Sequence, residues 1–241
     1  MTMPRRRRSV AQAHLLDVLS GQLDAMIPGD PRPLEVVDLG GGTGGLAIDV
    51  AARGHRVTVI DPSPDALASL ERRTADAELP GQVVGRQGDA ADLVAVVGRQ
   101  AVDVVVCHRV LEVVESPAEA LAAMATVLRP GGALSLLAAQ KHALVLSQAL
   151  AGHPRQARHT WSDPDRFDYG SLTDLVRGAG FALVAAHGIG AVSDLVPEAV
   201  TDGDPAAYAE LAALEAEVSQ DPAFRALAPH VHLFARVAPG H

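Results

Sequence analysis

The segment VVDLGGGTGG, Val36 to Gly45, holds the densest set of groups in the chain able to grip a ligand. Asp38 ends an apolar run, and Gly40, Gly41, Gly42, Gly44 and Gly45 follow before helical spacing begins near Leu46. Glycines let a backbone turn sharply and let a ligand touch the main chain where a Cβ would clash. Gly40, Gly42 and Gly45 satisfy the GxGxxG pattern of dinucleotide binders, whereas Asp38, Gly40, Gly42 and Gly44 satisfy the DxGxGxG pattern associated with S-adenosylmethionine. Both ligands carry adenosine. Asp61, followed by Pro62, lies 23 residues after Asp38 at the end of a second apolar run, where a carboxylate can accept hydrogen bonds from ribose hydroxyls. Asp89 and Ala90 follow a third run and put an acid where an adenine amino group could donate. Dinucleotide binders usually carry an apolar residue at the position of Asp38. An acid beside the bend suits a ligand bearing an ammonium and a sulfonium and repels a pyrophosphate, so the acids favour the methyl donor.

Other residues allow further chemistry. His108 follows a fourth apolar run and is a candidate acid or base, or a packing residue; Glu112 suits bracing of the next helix. Lys141, Arg155, Arg158 and Arg166 are suited to an anionic acceptor. Phe167, Trp161 and Tyr169 could line a substrate pocket or simply anchor a loop. His230 and His232 alternate toward one strand face without a third ligand, so no metal site is expected. The single Cys107 excludes an internal disulfide and a cysteine-rich zinc site.

The scaffold that positions these groups is legible as alternating elements. Leu34–Leu39, Arg56–Asp61, Gln82–Gln87, Val102–Cys107 and Ala133–Ala138 read as buried parallel strands. Helical spacing occupies Leu46–Arg53, Asp65–Ala77 and Pro117–Leu128, the last opened by Ser116 as cap and Pro117 at its first position. A leading helix is expected over 10–26, with a GDPRP turn at 29–33. Residues 139–170 read as a long irregular stretch, and loops of that length tend to be functional. A helix at Ser171–Gly178, a strand at Phe181–His187, an acidic helix at Pro205–Ser219 and a strand at His230–Val237 complete the chain. The alternation predicts an α/β fold, a doubly wound, mostly parallel sheet.

The 241 residues are 48% hydrophobic, enough to bury a substantial core, and the formal charge of −9 argues against general affinity for nucleic acid. That charge is uneven. Residues 194–221 carry eight acids and no Lys or Arg, while 141–162 carry Lys141, Arg155, Arg158, three histidines and no acid. No apolar run approaches the roughly 20 residues needed to cross a bilayer, and the basic start has no long apolar stretch behind it. A cytoplasmic location without membrane partners is expected.

The sequence resembles class I S-adenosylmethionine-dependent methyltransferases in VVDLGGGTGG, GHRVTVIDPSPDAL, GDAADL, CHRVLEVVESP and LRPGGALSLL, five segments in the family's order. Within that superfamily it is most similar to the bacterial tRNA carboxymethoxyuridine methyltransferase group, through HRVLEVVESPAEAL and the C-terminal LEAEVSQDPAFRALAPHVHLFAR. The resemblance implies a Rossmann-like, seven-stranded sheet with an antiparallel last strand, preceded by an N-terminal helical cap. On that reading residues 1–33 are the cap and 34–241 the methyltransferase domain, with 139–170 and 194–228 as insertions on the substrate side. It implies S-adenosylmethionine as donor and S-adenosylhomocysteine as product. Main-chain groups of Gly40 and Gly41, with Asp38 and Gly42 supporting the bend, would hold the methionine part. Asp61 and Pro62 would meet the ribose, and Asp89 and Ala90 the adenine. His108 would face the donor as the candidate catalytic residue, and Arg8 would clamp the donor carboxylate.

The chain departs from that group in ways that bear on the acceptor. Ala138, Ala139 and Gln140 stand where the group has an aromatic pair and Asn, its basic run is reduced to Arg155 and Arg158, and Pro229 and His230 replace a basic residue and a tyrosine. Stacking platforms and clustered cations for RNA are thinned. Acceptors left open are a carboxylate of a modified tRNA uridine, a small acid, or another small molecule methylated on O or N. A nicotinamide-dependent oxidoreductase and a catalytically silent donor-binding protein are the other readings.

Overall fold

The computed structural model describes residues 8–27 and 32–238. Part of the expected GDPRP turn and Arg5 to Arg7 lie outside them. Seven strands form one sheet: β1 (Glu35–Leu39), β2 (Arg56–Asp61), β3 (Val83–Gln87), β4 (Val102–His108), β5 (Leu128–Ala139), β6 (Phe181–Ile189) and β7 (His230–Val237), in the order β3-β2-β1-β4-β5-β7-β6. The contacts β1–β2, β1–β4, β2–β3 and β4–β5 are parallel, and β7 runs antiparallel to both β5 and β6. The fold is thus the doubly wound α/β sheet with an antiparallel last strand that the sequence implies. Strand order reverses between β1 and β4, and a crevice at the carboxyl ends of strands opens at such a switch point.

The helices are α1 (Val10–Asp24), α2 (Gly45–Ala51), α3 (Pro64–Asp76), α4 (Leu93–Val97), α5 (Pro117–Val127), α6 (Lys141–Leu150), α7 (Pro154–Ser162), α8 (Tyr169–Gly178), α9 (Glu198–Thr201), α10 (Pro205–Val218) and α11 (Pro222–Leu227). Strand residues alternate between the two sheet faces. Val36, Val104 and Val106 pack with Leu19 and Leu23 of α1, Val50 of α2 and Leu70 of α3. Val37, Val105 and Leu134 pack with Leu121 and Met124 of α5 and Leu172 and Val176 of α8. Full burial of each such Leu or Val contributes about 1.5–3 kcal/mol, which is why both layers hold. Ser116 caps α5 by accepting from Glu119 N at 3.4 Å, with Pro117 at the first turn. No helix among the described residues is long and apolar enough to cross a membrane.

The structure corrects the reading of 139–170, which is a helical hairpin of α6 and α7 leading into α8 rather than an irregular stretch. Gly152 has φ +80°, a left-handed conformation that reverses the chain between the two helices. The polar composition of HPRQARHTWSDP hid this, because no residue of α6 is fully buried and α7 buries only Ala157 and Thr160. Strand β5 also starts earlier than Ala133, taking in Leu128, expected at the end of α5, to Gly132 past an irregularity between Val102 and Val104 of β4.

Candidate active site

The glycine bend leaves β1 at Leu39 and is fastened to β2. Gly40 N donates to Ile60 O at 2.7 Å, and Gly42 N donates to Asp61 Oδ2 at 2.9 Å. Gly40 has φ +70°, and a Cβ there would stand 2.5 Å from Val110 Cγ2. Asp61 is 8% exposed, and its other oxygen accepts from Ser63 N at 2.9 Å. Two main-chain N–H groups therefore fix this carboxylate while lone pairs remain for a ligand. Asp89, exposed at the end of β3, accepts from Ala91 N at 2.8 Å and Asp92 N at 3.3 Å, so it braces its own turn as well as facing outward.

Gly40, Asp61, Pro62, Asp89 and Ala90 line a cavity of about 950 Å³, together with Val110, Val113 and Ala120. Asp38, Gly41, Gly42, His108 and Arg8 are outside this lining. Asp38 is buried beneath the bend with Oδ2 unpartnered. Burial, reinforced by the neighbouring Asp61 charge, pushes its carboxyl up to about 7. Folding thus takes up a proton at Asp38 between pH 4 and 7. Its contribution to stability is complete below the ordinary value of 3.8 and is lost as pH rises through about 7. Asp38→Asn is expected to remove that slope. The variant should gain a few kcal/mol relative to wild type between pH 4.5 and pH 8, read by urea unfolding, and an unchanged difference across that range would contradict the assignment.

His108 ends β4 on the sheet face covered by α1. Its Nε2 lies 2.9 Å from Ser135 Oγ, which lies 2.9 Å from His232 Nε2; His232 Nδ1 in turn is 3.4 Å from His187 Nδ1. Burial pushes His108 down to about 3 and His187 to about 4, and holds His232 well below the usual imidazole range. All three imidazoles are neutral at pH 7, so His108 offers an uncharged ring there. Arg8 forms an ion pair with Asp49 of α2, and its carbonyl accepts from Tyr208 Oη at 3.3 Å.

A second cavity, about 410 Å³, opens beyond the ends of β4, β5 and β7, between Glu112, Gln140, Leu144, Phe167 and His230. Of the three loop aromatics only Phe167 lines it. Trp161 is 58% exposed on α7, and the Tyr169 ring lies under the Arg225 guanidinium at 4.4 Å. Lys141 Nζ is 3.4 Å from Asp168 and Arg166 Nε is 3.4 Å from Asp163, so both cations already have carboxylate partners. Arg155 and Arg158 are exposed on α7. Sequence reasoning missed Gln140 and gave Glu112 only a bracing part. It braces the end of β5 rather than the following helix, accepting from Ala139 N at 2.6 Å, and it lines the cavity too. The position of Gln140 directly after a central strand was the available signal, since ligands gather at such ends.

The Methyltransferase domain family matches residues 37–136, which span β1 to β5 and the glycine bend. The tRNA 5-carboxymethoxyuridine methyltransferase of Escherichia coli (strain K12) is 31% identical over 216 residues, covering 86% of this chain and 81% of that protein. A ubiquinone biosynthesis O-methyltransferase of Burkholderia thailandensis is 32% identical over 161 residues, covering 64% of this chain and 67% of that one. Among solved structures, the magnesium protoporphyrin IX methyltransferase of Synechocystis PCC 6803 with bound S-adenosylhomocysteine superposes with a TM-score of 0.63 at 16% identity, over 95% of this chain and 84% of that chain. The 1,6-didemethyltoxoflavin-N1-methyltransferase of Burkholderia thailandensis, also with S-adenosylhomocysteine, gives 0.57 at 19% identity, over 95% and 78%.

Proposed function

This chain belongs to the S-adenosylmethionine-dependent methyltransferases, and from that premise we propose that its larger cavity takes S-adenosylmethionine and its smaller one a small-molecule acceptor methylated on oxygen or nitrogen. The observation that carries this reading is the Asp61 carboxylate, held by Gly42 N and Ser63 N at the rim of the 950 Å³ cavity. Asp61 has no ion-paired cation among the described residues, and its charge suits a ligand with an ammonium and a sulfonium and opposes a pyrophosphate. A nicotinamide coenzyme is the poorer fit for that reason.

When bound, the donor supplies an activated methyl group on a sulfonium, so the chain need only align the acceptor and exclude water. Asp61 and Pro62 would hold the ribose, Asp89 and Ala90 the adenine, and main-chain groups of Gly40 and Gly41 the methionine part. Arg8 would reach the donor carboxylate only by leaving Asp49. His108, which lines neither cavity, would act as a positioning residue through a neutral imidazole fixed by Ser135. His108→Ala is expected to slow turnover by about 10²-fold while donor affinity falls much less, compared by labelled-donor assay and calorimetry. Equal losses in both would assign His108 to donor binding alone.

A small acceptor is favoured because Lys141 and Arg166 are already paired with carboxylates, leaving little free positive charge at the cavity. Carboxyl methylation of a tRNA uridine is the second reading, favoured by the identity to the E. coli enzyme and by the exposed Arg155, Arg158 and Trp161 on α7. Incubation with labelled donor separates them. Label entering a small-metabolite extract supports the first reading, and label entering bulk tRNA overturns it.

A further inference from the structure

Two side chains at the smaller cavity carry buried oxygens without partners. Gln140 is 2% exposed, and its Nε2 donates to Arg225 O at 2.6 Å and Ala228 O at 2.9 Å. Because both partners are carbonyls, the amide nitrogen must face them, and this fixes Oε1 on the other side with nothing to accept from. Glu112 commits Oε1 to Ala139 N at 2.6 Å and leaves Oε2 buried and unpaired. Folded proteins satisfy nearly all such groups, and two orphans on residues lining one cavity ask for a ligand that donates.

The neighbouring cations do not serve. Lys141 is engaged by Asp168 and Arg166 by Asp163, each at 3.4 Å. His230 is held below the ordinary imidazole value by burial, with the Arg109 charge adding to the effect and Glu112 opposing it, and so stays neutral at pH 7. Of the remaining walls Ala139, Ala143, Leu144, Phe167 and Pro229 are apolar, and Ser147, Asp163 and Asp165 are polar. The buried polar atoms left without a partner on this lining are therefore of one kind, acceptor oxygens, one of them on a carboxylate.

We propose that this cavity seats the methyl acceptor by an amino group on a small apolar body, its N–H hydrogens donated to Gln140 Oε1 and Glu112 Oε2, and that it rejects carboxylates; this rests on the small-molecule reading above. An ammonium carries three hydrogens, enough for two acceptors at once, and its charge offsets that of Glu112. A hydroxyl carries one hydrogen. A carboxylate would meet two acceptors and a like charge, an arrangement that suppresses binding strongly.

The test is an amide-resolved NMR titration of the full chain with benzylamine, benzyl alcohol and benzoate, which share one apolar body. It is run with and without saturating S-adenosylhomocysteine. Benzylamine is expected to move the Gln140 side-chain amide and the Ala139 and Lys141 signals, at least about tenfold more tightly than benzoate. Glu112→Gln, nearly isosteric and still able to accept from Ala139 N, should bring the two probes to within about threefold of each other. Benzoate binding as tightly as benzylamine to wild type overturns the proposal, as do benzylamine leaving these signals still and benzyl alcohol matching the amine. The wild-type comparison stands even if the variant fails to fold. The S-adenosylhomocysteine saturation curve tests the donor site separately: if it saturates and benzylamine fails, the amine inference alone falls.

Discussion

Replacing Asp61 by Ala should abolish calorimetric binding of S-adenosylhomocysteine. The carboxylate is nearly buried and is the only side chain among the described residues that Gly42 N and Ser63 N both use. Its removal would delete the acceptor proposed for a ribose diol and at the same time free two N–H groups that shape the bend. Hydrogen bonds to charged groups contribute about 1.5–3 kcal/mol each, so losing two costs on the order of 10²- to 10⁴-fold in affinity. Asp61→Asn keeps one acceptor oxygen and should lose less. Thermal melts of both variants separate a binding loss from a folding loss. An affinity for Asp61→Ala within threefold of wild type would remove Asp61 from the donor site.

Gly41→Ala should destabilise the fold and weaken the donor site together. A Cβ on Gly41 would stand 2.4 Å from Asp38 Oδ2, 2.6 Å from Asp38 Cγ and 3.0 Å from Val59 Cγ1. Asp38 and Val59 are buried within the packed sheet face, so neither moves cheaply. Overpacking of this kind costs roughly 1–3 kcal/mol. Urea unfolding measures it. Combining Gly41→Ala with Asp38→Ala makes room for the added methyl, so the double variant should be more stable than the sum of the single effects predicts. Strict additivity would show that Asp38 is not what the glycine accommodates.

The sheet was legible because its strands are nearly continuous apolar runs. Val102–Cys107 and Arg56–Asp61 could be bounded by composition alone, since parallel strands covered on both faces admit little else. The glycine bend was legible for a similar reason: its residues answer to backbone geometry, and the positive φ of Gly40, Gly42 and Gly44 is written in their type. The α6–α7 hairpin was not, because helices with so few buried residues leave little apolar period to read. Nor were the partners of side chains. Ser135, in contact with His108, reaches His232 across 97 residues of sequence, and Gln140 reaches Arg225 O across 85. Such contacts are set by strand order, and the pairing of β5 with β7 is a tertiary choice that no local pattern announces. Arg8 illustrates the same limit, since its ion pair with Asp49 depends on how α1 lies over α2.

The most direct measurement is equilibrium dialysis of the purified chain against labelled S-adenosylmethionine, with unlabelled S-adenosylhomocysteine or NADH as competitor. The Asp61 carboxylate beside a bare main-chain bend should retain the sulfonium ligand, and S-adenosylhomocysteine should displace it while NADH leaves it in place. Retention of NADH with no uptake of S-adenosylmethionine would contradict the account at its root.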